Sequence, residues 1–122
     1  MDVLHQIDLR QFNHREHIRL AWLCGRREGR EAGIVAFRAA LLHVLEKHGD
    51  TSKYHATITQ FWGYVIAQAI NAAPEIDDFA LFADQNPPLF DKNLIRQYYR
   101  SALLFSEAAR QRWIAPDLKP LA

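Results

Sequence analysis

With 122 residues, 49% of them hydrophobic and 24% charged, the chain is long enough to bury its own core and too short for two typical domains. Fifteen Lys and Arg against fourteen Asp and Glu leave a net charge of +1, so the charge balance points neither to nucleic acid nor to an anionic membrane surface. The single cysteine, Cys24, excludes an internal disulfide and a Cys-rich zinc motif, and is read as a buried, inert thiol.

The opening MDVLHQIDLR carries an early acid and lacks the continuous apolar stretch of a secretory signal. No apolar run approaches the roughly 18 residues of a membrane span. The expectation is a soluble, cytoplasmic protein.

Asn13 followed three residues later by Glu16 is a capping-box pattern, so a first helix is predicted from His14 to about Cys24, with GRREGR ending it. Its stretch HIRLAWLC is apolar on most faces and reads as buried. From about Glu31 to His48, Ile34, Phe37, Leu41, Val44 and Leu45 recur at helical steps, with Lys47 and His48 in the last turn and Gly49 as the stop. Asp50, Thr51 or Ser52 can cap a third helix from about Lys53 to Ala72, which puts His55, Ile58, Trp62, Ile66 and Ala69 on one stripe and closes before Pro74. EIDDFALFAD reads as a short helix that ends before Asn86, Pro87 and Pro88.

Asp91 is then the expected cap of a further helix, DKNLIRQYYRSALLF. Ser106 with Glu107 is compatible with a new helix or with continuation through RQRW, and APDLKPLA is extended because of its prolines. The β-branched residues fall inside helical stripes. The predicted fold is therefore all-α, a single-domain helical bundle in which neighbouring helices run antiparallel.

In such a bundle the first and third helices run parallel, which gathers His14 and His17, His55, and His43 and His48 at one end; His5 lies in the N-terminal arm. A spacing of three puts His14 and His17 on one side of their helix, with Ala21 and Cys24 continuing that line. His55 heads the stripe of Ile58 and Trp62, with Thr59 one turn below. The candidate site is a metal centre held by His14, His17 and His55, with Ala21, Thr59 and Trp62 lining the cavity. Neutral imidazole binds transition metals, and three histidines with an open position can hold catalytic zinc.

The alternative for each ring is a helix cap or a satisfied buried polar group. Glu16 suits a capping role better than orienting a ligating histidine or serving as a general base; His48 is a fourth ligand or a solvated helix end; His43 and Glu46 read as surface. Trp22, Phe61 and Trp62 suit the core better than a substrate platform. Arg96, Tyr98, Tyr99 and Arg100 would reach the pocket mouth if the later helix returns toward the histidines.

FNHREHIRLAW and, further on, KYHATITQFW together resemble a functionally uncharacterised family of small bacterial proteins in which an HxxH-L-x-x-A motif precedes YHxTIT. The resemblance covers about residues 11 to 65 and draws attention to His14, His17, His55, Thr57 and Thr59. In that pattern the residue after the second-motif histidine is often acidic, whereas Ala56 stands here.

Three functions are compatible with these residues. The first is a small metal-dependent enzyme carrying a divalent transition metal (zinc, iron, nickel or copper) and acting on a small-molecule substrate. The second is a non-catalytic protein-interaction module, a homodimer being one form of it, with structural histidines. The third is an anion pocket built from Arg15, Lys53 and two helix N-termini. No nucleic-acid or membrane partner is expected.

Overall fold

Asn13 opens the first helix as its spacing predicts: its backbone is extended, and its side-chain oxygen accepts the Glu16 N–H at 3.1 Å. This N-cap satisfies one of the donors that a helix start leaves without an internal partner. The structure, a computed structural model, describes residues 13–47, 49 and 51–121. His5, His48 and Asp50 lie outside them.

Helix α1 spans His14–Glu28 and does not stop at Cys24. Gly25 remains helical, and the chain turns at Gly29, whose φ of 89° lies in the left-handed region that favours glycine. A single residue thus separates α1 from α2, Arg30–Lys47. The two helices come so close beside this turn that a Cβ on Gly33 would stand 2.8 Å from the Gly25 Cα and 3.1 Å from the Cys24 carbonyl oxygen. The glycines that look like helix breakers in GRREGREAG are therefore what lets the two backbones touch.

Helix α2 buries Phe37, Leu41 and Val44 from the predicted stripe, and Gly49 follows it with a φ of 67°. A short 3-10 turn at Thr51–Lys53 precedes α3, Ala56–Ala72. Helices α1, α2 and α3 pack on one another. Their shared core contains Ile18, Leu20, Trp22, Phe37, Phe61 and Ile66, all buried. Each such side chain contributes roughly 1.5–3 kcal/mol relative to an exposed position.

Helix α4, Phe79–Gln85, is capped by the Asp78 carboxylate, and Phe79 and Phe82 pack against Trp22. The long helix expected from Asp91 does not form. After a 3-10 turn at Pro87–Phe90, its place is taken by a second such turn at Leu94–Gln97 and by a one-turn helix α5, Ser101–Leu104. Asp91 accepts the Asn93 N–H at 2.9 Å, a local turn and not a helix cap. Farther on, the tail takes the backbone groups that a helix would need: Arg100 N–H donates to Asp117, and the Tyr98 carbonyl accepts from Leu118 N–H.

Ser106 starts a separate helix α6, Glu107–Gln111, and accepts from Ala109 N–H. The chain is an all-α, single-domain bundle with no strand among its described residues. No described helix is long and apolar enough to cross a membrane.

Candidate functional site

One cavity of about 450 Å³ lies where the start of α1, the first two turns of α3 and the irregular C-terminal segment meet. From α1 it receives Asn13, His14 and His17, and from α3 it receives Ile58 and Trp62. Lys92, Asn93, Ile95 and Arg96 form the facing side, with Leu104 and Phe105 at the end of α5. Trp62, Ile95 and Leu104 are buried, so the floor is apolar. Phe105, 61% exposed, stands at the mouth. Among the described residues no Asp or Glu lines this cavity, whereas Lys92 and Arg96 both do.

The capping geometry places His14 in the first turn. Its Nε2 lies 3.0 Å from the Leu89 carbonyl oxygen, which can only accept, so Nε2 carries the proton and donates. The ring meets Trp62 edge-on, with centroids 4.6 Å apart. Burial lowers the His14 pKa; the Leu89 carbonyl and the Asp91 carboxylate oppose this, and Lys92 reinforces it. For His17, burial and then the neighbouring His14 push the pKa down to about 4. The structure thus brings these two rings together and keeps His17 neutral near pH 7.

His55 is placed differently from the expectation. It is the N-cap of α3 rather than a residue of its first turn. Its Nδ1 accepts the Ile58 N–H at 3.1 Å, and its Nε2 lies 2.7 Å from the Leu104 carbonyl oxygen. A backbone N–H must donate and a carbonyl must accept, so the ring is fixed as the Nε2–H tautomer with both nitrogens engaged. His55 does not line the cavity that holds His14 and His17. Among the described residues, no group of three or more His, Cys, Asp or Glu side chains is arranged to hold a metal ion.

Of the three expected lining residues, Trp62 does line the cavity. Ala21 is buried in the helical core, and Thr59 donates its hydroxyl to the His55 carbonyl at 2.8 Å. Thr57, also buried, donates to the Arg112 carbonyl and accepts the Ile114 N–H, which ties the tail to α3. His55 and Thr57 of YHATIT are therefore joints between segments, whereas Thr59 bonds within the first turn of its own helix.

The expected anion-pocket cations are not the ones present. The Arg15 guanidinium lies over Phe79 and Phe90, 5.2 and 5.3 Å from their ring centroids, and neither Arg15 nor Lys53 lines the cavity. Arg96 does, as its conditional reading allowed; Tyr99 is buried and Arg100 pairs with Asp117 at 3.9 Å. Sequence reasoning missed Lys92, Asn93 and Ile95 because it placed them on a regular helix. The available signal was Asp-x-Asn after two prolines, a turn sequence.

Glu16 keeps its capping backbone bond; its carboxylate lies 3.9 Å from Arg19, and it does not line the cavity. His43 is exposed on α2. Cys24 is buried, and burial raises its thiol pKa to about 11, in keeping with an inert thiol. No protein-family model, curated protein or solved structure matches the chain.

Proposed function

We propose that this protein binds a small organic anion, a molecule with one acidic group and an apolar body, in the cavity between α1, α3 and residues 92–105. The observation that carries this reading is the pairing of Lys92 and Arg96 with a floor of Trp62, Ile95 and Leu104 and with no carboxylate among the described lining residues. The volume of about 450 Å³ falls in the range of small-molecule sites, roughly 300–1,000 Å³. Arg96 and Lys92 would hold the acidic group, Arg96 with a planar fork suited to two oxygens. Ile58, Trp62 and Phe105 would take the apolar body. The lowered pKa values of His14 and His17 leave the positive charge of the cavity to Lys92 and Arg96 near neutral pH.

A pair of dye probes tests this reading. Anilinonaphthalene sulfonate and the neutral phenylnaphthylamine share an apolar ring system and differ in charge. The sulfonate should bind the folded protein one to one and about tenfold or more tightly than the neutral dye. Arg96→Ala and Lys92→Ala should each weaken the sulfonate alone, by roughly three- to tenfold. Equal affinity for both dyes, or no effect of either substitution, would remove the anion reading.

Titration with zinc, iron, nickel and copper serves as the competing arm. The His14 and His17 pair is what supports a metal at this place. Stoichiometric metal that shifts both imidazole signals and is lost in His17→Ala would favour the metal site instead.

A further inference from the structure

The wall of the cavity contains a joint that does not itself face the ligand. Ile58 and Leu104 line the cavity from α3 and α5, and the backbones of both are held by one side chain, His55. From the Ile58 side the ring is an acceptor at Nδ1, and toward Leu104 it is a donor at Nε2. Helix α5 has four residues and α6 has five, lengths at which a helix is not stable unaided, so their position depends on tertiary anchors. The N–H groups of Leu103, Leu104, Phe105 and Ser106 bond within 100–106, whereas the Leu104 carbonyl bonds across to His55. The next residue is Phe105, the exposed aromatic at the mouth.

We propose that His55 is a positioning residue for this site: by spanning Ile58 N–H and the Leu104 carbonyl, it sets the width of the cavity and the placement of Phe105. The inference rests on the reading of the cavity as a ligand site. It assigns to the second-motif histidine a role in binding without contact to the ligand, in place of metal ligation.

Two substitutions separate this role from simple stabilisation. His55→Asn retains a good N-cap for α3 but is too short to reach the Leu104 carbonyl. His55→Gln places an amide N–H where Nε2 stands but is a poor N-cap. Affinity is read with anilinonaphthalene sulfonate and stability with urea unfolding, each on the full chain.

His55→Asn should lose no more stability than His55→Gln, yet its Kd for the dye should rise about tenfold. His55→Gln should lose stability yet bind the dye within about twofold of the wild type. An unchanged Kd in His55→Asn, or affinities that follow stability in both variants, would overturn the proposal while leaving the site intact. Failure of the wild type to bind the dye would overturn the ligand-site reading and this inference with it.

Discussion

His14 and Trp62 meet edge to face, their ring centroids 4.6 Å apart and their planes inclined by 68°, while the same imidazole donates to the Leu89 carbonyl at 3.0 Å. One side chain at the start of α1 therefore joins α3 to the 3-10 turn at Pro87–Phe90. Its two contacts can be removed separately. His14→Phe keeps an aromatic ring against Trp62 but leaves the Leu89 carbonyl without its donor, and should destabilise by about 1 kcal/mol. His14→Ala loses both contacts and should cost about 2 kcal/mol. Urea unfolding of the two variants checks the order; equal losses would show that the ring contact contributes nothing.

The depressed pKa of His17 has a definite pH signature. Folded, the group titrates at about 4 against an ordinary value of 6.5, so the unfolded chain takes up a proton first as pH falls. The associated stability is fully present above pH 6.5, declines between 6.5 and 4, and is gone below. A tenfold change in proton affinity is worth about 1.4 kcal/mol, so the decline amounts to at most about 3.5 kcal/mol. His17→Gln cannot titrate. Its stability should fall less steeply over that interval than that of the wild type, as read by denaturant midpoints at successive pH values; parallel curves would exclude His17 as the source.

Gly33→Ala forces a methyl against backbone atoms, with the Gly25 Cα at 2.8 Å. Because neither helix can yield locally, a loss of about 2–3 kcal/mol is expected, typical of overpacking. Gly63→Ala meets the flexible Ile34 side chain at 3.3 Å and should cost clearly less. Thermal melts of the two variants give the comparison, and a Gly33→Ala protein as stable as Gly63→Ala would disprove the close approach of α1 and α2.

Thr57→Val retains the shape of the side chain and deletes a hydroxyl that serves both the Arg112 carbonyl and the Ile114 N–H. Leaving those groups unsatisfied should destabilise by about 1–3 kcal/mol. The effect should concentrate in the tail, so that the Ile114 amide exchanges faster with solvent while amides in the middle of α1 change little. Thr59→Val deletes only a bond to the His55 carbonyl one turn back and should do less.

The parts of the fold legible in the sequence are those fixed by local rules. Asn13 as N-cap, Gly49 as a left-handed stop and the burial of Phe37, Leu41, Val44, Trp62 and Ile66 all follow from periodicity and capping. What escaped is controlled by groups distant in sequence. Asp117 and Leu118 claim the backbone of Arg100 and Tyr98, and no propensity of the segment from Asp91 to Phe105 reveals that competition.

The same distinction divides the site. His14 and His17 come together because a three-residue step on one helix dictates it. With the third helix expected from about Lys53, His55 is placed about three positions too far into it; as the cap itself, its ring turns to the Ile58 N–H and to Leu104. Lys92 and Arg96 reach the cavity from local turns, in which Asp91 accepts the Asn93 N–H and Leu94–Gln97 forms a 3-10 helix.

This arrangement also orders the construction of the molecule in time. The three long helices are contiguous in the chain and can associate as soon as they have been synthesised, since their contacts need no residue beyond Ala72. The basic side of the cavity, from Lys92 to Arg96, and its rim at Phe105 are translated later and are secured by tail residues made later still. A nascent chain paused after α3 would hold the three-helix part of its core, still lacking Ile76, Phe82, Leu89, Ile95, Tyr99 and Leu104, and only one wall of its pocket. The cavity proposed to bind a ligand is thus the last part of the molecule to be completed.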